Sequence, residues 1–155
     1  MRSRYEGHNV VVRATTGVTE VSRVRIGVDI ESVTSVRSTL KQFGASYVER
    51  VFNQGEAAWA RGHPSTAPVF LARRFALREA ILKLIETDDS LVRWSDVILE
   101  ERDSGPPTVR LVNDSTRRAR ALGINKIHLS VACAGDLVVA VAVADSDDAK
   151  EEGLL

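Results

Sequence analysis

Hydrophobic and polar positions along the chain change period several times. Residues 23–30 (RVRIGVDI) alternate apolar and polar side chains and then turn apolar, the pattern of a strand entering a core. Ser32 or Thr34 is placed to cap a helix running to about Phe43, and a second helical stretch covers 45–61 with a break at Asn53–Gly55. Gly62 to Pro68 holds two prolines and reads as a loop. The longest helix is predicted over 69–86 (VFLARRFALREAILKLIE). Two strands, 96–102 and 107–112, flank a turn at Asp103-Ser104-Gly105-Pro106. Asp114 or Ser115 then caps a short helix that stops at Gly123. Residues 126–132 and 137–144 form a hairpin about Ala134-Gly135-Asp136. Tight turns join the later strands, so the expected fold class is α+β, a mainly antiparallel sheet packed against a long central helix.

Residues 1–22 have no clear period and read as an N-terminal extension, although Val10-Val11-Val12 can add an edge strand. The segment 147–155 (DDAKEEGLL) reads as an acidic C-terminal tail. One domain over 23–146 accounts for the rest, in keeping with a length of 155 residues. A hydrophobic share of 44% beside 27% charged residues is that of a globular protein. Twenty-one basic residues balance twenty-one acidic ones, so no global field recommends nucleic acid or an anionic membrane as a partner. No run of about 18 apolar residues suggests a membrane span. The N-terminal stretch, broken by Arg2, Arg4, Glu6 and Arg13, has no secretion core, and the expected location is the cytoplasm. Cys133 is the single cysteine, which excludes an internal disulfide and a cysteine-cluster metal site.

The predicted 69–86 helix is apolar almost all round yet carries Arg73, Arg74, Arg78, Glu79 and Lys83. Charge on a buried helix is costly unless it is paired or bound. Glu79 and Lys83, four residues apart, can form an ordinary helix pair. Asp29, at the end of the first strand, can be a helix cap or, as a hard oxygen ligand, can hold magnesium. His8, His63 and His128 are too scattered for a zinc signature, and Cys133 has no neighbouring His to make it a nucleophile. Trp59 and Trp94 read as core or interface anchors.

Together, Gly27-Val28-Asp29-Ile30 and LARRFALREAILKL (71–84) resemble the two signatures of holo-acyl carrier protein synthases, a family of 4′-phosphopantetheinyl transferases. The spacing from Asp29 to Glu79 is similar to the family's, as are WSDVILE (94–100), DSGPP (103–107) and HLSVA (128–132). The resemblance covers about residues 24–145. It implies transfer of the 4′-phosphopantetheine arm of coenzyme A to a serine of an acyl carrier protein, with release of 3′,5′-ADP, by a homotrimer with sites between subunits. It also implies that Asp29 and Glu79 are the Mg²⁺ ligands and that Lys83 contacts phosphate. Arg74 and Arg78 would lie near the coenzyme A phosphates. A metal-positioned water or Glu79 would serve as base. Departures from the family pattern include Arg78 in place of Lys, Glu86-Thr87-Asp88-Asp89 in place of a Gly-Thr-Gly-like loop, and Pro106 for Lys. Ala132-Cys133 stands for a Ser/Thr-His pair, and Ser35 lies near the place of a carrier-contacting Arg for which Arg37 is the nearest substitute. Those departures keep open a diverged homologue that binds coenzyme A or a carrier protein without transfer.

Overall fold

The computed structural model describes residues 23–85, 92–100, 102, 105 and 107–146. The elements are β1 (Arg23–Ser32), α1 (Val33–Val51), α2 (Gln54–Gly62), α3 (Ala67–Leu84), a 3₁₀ turn (Trp94–Asp96), β2 (Val97–Glu100), β3 (Thr108–Leu111), α4 (Asn113–Ala121), β4 (His128–Ala134) and β5 (Leu137–Ser146). Three strands pair antiparallel in the order β1-β5-β4, and β2-β3 forms a separate antiparallel hairpin. The α+β expectation holds. The extension, the acidic loop after α3, Pro106 and the C-terminal tail lie outside the described residues.

Helix α3 crosses one face of the β1-β5-β4 sheet. The contact is made of small side chains: Ala72, Ala76 and Ala80 on the helix face Ala140, Ala142 and Ala144 on β5, all of them fully buried. Gly27 on β1 allows the closest approach. A Cβ at that position would lie 1.9 Å from the Ala80 carbonyl oxygen and 2.7 Å from the Leu84 nitrogen, inside any real contact distance. Leu71, Leu77, Ile81 and Leu84 complete the core from the helix side.

The helix boundaries follow local chemistry. Ser32 caps α1, accepting the Ser35 N–H at 3.1 Å. The break expected after Phe43 falls at Gly44, whose φ of 56° interrupts the helix. Asn53 and Glu56 form a reciprocal capping box that starts α2 after the second expected break. Helix α3 begins at Ala67, two residues earlier than predicted, because Pro68 fits a first helical turn, where its missing N–H costs nothing. Helix α4 also starts early: Asn113 opens it, and Ser115 sits inside the first turn, accepting the Val112 N–H and donating to the Asp96 carbonyl. Gly123, with φ of 68°, follows its end as expected.

The other face of the sheet is apolar and open. Ile26, Val28 and Ile30 of β1 are 49%, 45% and 61% exposed, and they pair in register with Val143, Val141 and Val139 of β5. Alternation along β1 therefore turns its large aliphatic side chains away from α3, leaving Gly27, Asp29 and Glu31 on the helix side.

Candidate active site

Strand β1 and helix α3 bring Asp29, Glu79 and Lys83 together. Because Gly27 lets β1 lie against the backbone of α3 at Ala80, the residue two positions on, Asp29, projects beside the helix turn carrying Glu79 and Lys83. The Lys83 ammonium donates to Asp29 Oδ1 at 2.8 Å and to the Val28 carbonyl at 3.1 Å. Asp29 caps no helix; Ser32 does that work. The Asp29 side chain is 13% exposed and that of Lys83 42%, so the group opens to solvent on the lysine side.

The cluster carries an excess of negative charge. The Glu79 carboxyl is held above the usual carboxylate range, first by burial, then by the Asp29 charge; Lys83 opposes this and Glu31 adds to it. Glu31, two residues beyond Asp29 on the same strand face, is raised too, by burial and by Asp29, although its Oε1 accepts the Ser32 N–H at 2.9 Å. Glu31 in turn helps to raise the Tyr47 hydroxyl, which burial already pushes up. Nothing in the spacing of the sequence singled out Glu31; strand alternation from Asp29 is the signal that finds it.

Such a surplus fits a hard divalent cation. Among the described residues no set of three or more His, Cys, Asp or Glu is grouped to hold a metal by protein ligands alone. Magnesium, however, ordinarily takes one or two carboxylates and fills the rest of its octahedron with water and substrate phosphate. Asp29 and Glu79 match that donor set. Half-burial of two like charges is relieved when a cation sits between them.

Arg74 and Arg78 lie elsewhere. They project from another side of α3 toward α2 and are 4% and 2% exposed. Arg78 Nη2 donates to both oxygens of Glu56 at 2.8 Å, and its Nε donates to the Val97 carbonyl at 3.1 Å. Arg74 Nε stands 3.5 Å from Glu56 Oε1. Burial, with Arg78 and Arg73 nearby, pulls the Arg74 guanidinium below its usual value while Glu56 holds it up. Both guanidiniums stack near aromatic rings: Arg74 over Phe70 at 5.0 Å, Arg78 near Phe52 and Trp94 at 5.9 and 5.8 Å. The expectation that these two arginines line the coenzyme A phosphates meets a structure in which they surround a buried glutamate of the same chain. Glu56 is not among the residues singled out in the sequence; the structure shows it as the N3 partner of the Asn53 capping box.

The remaining sequence candidates are peripheral. Cys133 is exposed near the end of β4, beside the turn to β5. His128 is an exposed strand-face residue. Trp59 is stacked between His63 and Phe70, and Trp94 packs on Phe75.

Comparison with known proteins agrees with this fold. The model of the 4′-phosphopantetheinyl transferase superfamily matches residues 25–142, the span that includes α3 and most of β1 and of the terminal hairpin. This chain belongs to that superfamily. Within it, the chain is 34% identical over 119 residues to a holo-[acyl-carrier-protein] synthase of Desulforudis audaxviator, covering 77% of this chain and 90% of the relative. Two solved transferases share its fold. The holo-[acyl-carrier-protein] synthase of Neisseria meningitidis superposes with a TM-score of 0.67 at 26% identity, covering 77% of this chain and 96% of that one. A holo-(acyl-carrier-protein) synthase of Bacillus anthracis, solved in complex with CoA (3′,5′-ADP), gives 0.62 at 26% identity, covering 79% and 96%.

Proposed function

We propose that the chain is a magnesium-dependent holo-acyl carrier protein synthase, moving the 4′-phosphopantetheine arm of coenzyme A to a serine of an apo acyl carrier protein. The observation that carries the proposal is the convergence of Asp29, Glu79 and Lys83 at the β1–α3 crossing. In the reaction the serine oxygen forms a bond to the β-phosphorus of the coenzyme A pyrophosphate. The bond from that phosphorus to the bridging oxygen breaks, 3′,5′-ADP leaves with the electron pair, and the serine proton passes to a base. Such transfers depend on neutralising charge on the transferring and leaving phosphates. Magnesium, when bound by Asp29 and Glu79, supplies that neutralisation at the pyrophosphate. Lys83 supplies a second cation: it is half-exposed, and exchanging Asp29 for a phosphate oxygen requires only rotation of its flexible stem. Glu79, held above its usual range, is also placed to accept a proton. Arg74 and Arg78 support the site by fixing α3 to α2 and β2 through Glu56 and Val97.

The proposed assembly is a homotrimer, with the open apolar face of Ile26, Val28 and Ile30 covered by neighbouring copies. A monomer seldom leaves so contiguous a patch in water. We take 23–146 as the transferase domain, with 1–22 and 147–155 as its extension and tail, and place the reaction in the cytoplasm, where coenzyme A and carrier proteins meet. Mass spectrometry of an apo carrier protein incubated with the chain, coenzyme A and magnesium tests the reading. A gain of one phosphopantetheine is expected. An unmodified carrier from a chain that still binds coenzyme A would point to the diverged binder.

A further inference from the structure

The turn between β4 and β5 reaches across to the junction of β1 and α1 and holds it through one carboxylate. Gly135, with φ of 60°, makes the turn tight and leaves Asp136 pointing at the junction. Asp136 Oδ2 accepts the Ser32 hydroxyl at 2.6 Å. Its Oδ1 accepts both the Thr34 N–H at 2.8 Å and the Thr34 hydroxyl at 2.6 Å. Its main-chain carbonyl accepts the Val33 N–H at 2.9 Å. Ser32 Oγ accepts the Ser35 N–H at 3.1 Å. The first three amides of α1 are thus satisfied by one aspartate about a hundred residues away in sequence and by the serine it orients. No local cap alone accounts for this, since a Ser32 cap serves only Ser35.

We propose that Asp136 is a positioning residue for the metal and phosphate site, fixing where β1 ends and so where Asp29 and Glu31 stand against Glu79 on α3. The inference rests on the transferase reading. Ser32, the last residue of β1, pairs with Leu137, the first residue of β5, and Asp29 pairs with Ala140 three positions on. The Asp136 bonds lie just past that last pair, so they close the open end of the ladder. Without them the strand end that carries Asp29, Glu31 and the β1–α1 turn keeps its final ladder bonds and the Lys83 contacts to Asp29 and the Val28 carbonyl, but loses its anchor beyond Ser32, and strand ends fray first. Asp29 must meet a carboxylate on a different element, so its value as a ligand depends on that end being fixed.

The test uses the full chain and Asp136→Ala, with Mn²⁺ binding followed by calorimetry, turnover with coenzyme A and apo carrier protein, and amide hydrogen exchange over residues 29–35. Asp136→Ala is expected to weaken Mn²⁺ binding and to lower kcat, each about tenfold, the low end for partners that orient a metal ligand. Exchange at 29–35 should accelerate while that of α3 does not. In an Asp29→Asn background the same change should leave residual Mn²⁺ affinity unaltered, because Asp136 acts through Asp29. Asp136→Asn, which keeps an oxygen for the Thr34 N–H, should restore part of the loss. If Asp136→Ala fails to fold, Ser32→Ala with Thr34→Val removes the hydroxyl donors and retains both backbone bonds. Parent-like Mn²⁺ affinity and kcat beside a lowered Tm would overturn the proposal and leave a purely structural cap. A parent that transfers nothing would count against the transferase reading instead; the exchange pattern would then decide the positioning claim alone, with unchanged exchange at 29–35 overturning it.

Discussion

Replacing Arg78 separates a structural arginine from one that binds coenzyme A. In the structure its guanidinium spans Glu56, at 2.8 Å to both oxygens, and the Val97 carbonyl, at 3.1 Å, with side-chain exposures of 3% for Arg78 and 4% for Glu56. Arg78→Met keeps the length of the stem and removes every donor. Removing one partner of a buried pair costs about 3–5 kcal/mol, because the other charge stays behind without compensation. Here two features place the loss at the lower end. Arg74 remains 3.5 Å from Glu56, and the Asn53 N–H still donates to the Glu56 carboxylate at 3.1 Å. A loss of about 3 kcal/mol in a chain of this size lowers Tm by about 6–12 °C. Glu56→Gln should cost more, since it leaves two guanidiniums facing each other without an anion. Arg78→Lys should fall between parent and Met, because an ammonium cannot serve Glu56 and Val97 in one geometry. Urea and thermal denaturation measure the losses, and the Michaelis constant for coenzyme A is read well below the lowered Tm. If Arg78→Met melts within about 2 °C of the parent while that constant rises tenfold or more, the arginine serves the cofactor and the structural assignment is wrong.

Three further outcomes are expected. Gly27→Ala should cost about 1–3 kcal/mol, the range for overpacking a close contact, and should lower turnover by pushing Asp29 away from α3; a variant with parent Tm and kcat would show that the close approach at Ala80 is not needed. Glu79→Gln should raise Tm in chelator, more at pH 7 than at pH 5, and abolish any Mg²⁺-induced rise. The sign follows from the raised carboxyl: its favourable contribution is complete below the ordinary value of 4.5 and is lost as pH rises through the higher folded value, so the ionised group is a burden at neutral pH. Equal Tm gains at both pH values would contradict this. Ile30→Glu on the open sheet face should convert a trimer to monomers in light scattering, and a parent that is already monomeric at micromolar concentration would remove the basis for the assembly.

Local signals in the sequence located most elements. The alternation of 23–30 marked β1, the expected break at Asn53–Gly55 fell where α2 starts, and the turn about Ala134-Gly135-Asp136 joined the last two strands. Two helix starts moved by two or three residues, near Pro68 and at Asn113, because first-turn chemistry tolerates more residues than a cap pattern names. Around the site, Asp29, Glu79 and Lys83 were legible as chemistry, and the structure adds the reason they meet, a glycine that lets strand and helix backbones touch. What the sequence could not display were partners set by tertiary packing. Arg74 and Arg78 look available for phosphate on a helical wheel until Glu56 from α2 is seen between them. Asp136 reads as an ordinary turn aspartate because nothing local reveals that its turn abuts Ser32 and Thr34. Side-chain charge fixes what a residue can do; only the fold fixes whom it meets.

The most direct measurement compares parent and Asp29→Asn in the transfer reaction itself, with intact-mass detection of the carrier protein across a magnesium titration. Asp29 is partly exposed and sits on a strand whose ladder does not depend on its carboxylate, so the variant should fold and bind coenzyme A. The account predicts a magnesium-dependent gain of one phosphopantetheine by the parent. The variant should transfer more slowly by about 10²- to 10³-fold, the loss expected when a principal source of charge stabilisation at a transferring group is removed. Transfer by Asp29→Asn at the parent's rate and with the parent's magnesium dependence would contradict the assignment of the β1–α3 crossing as the active site.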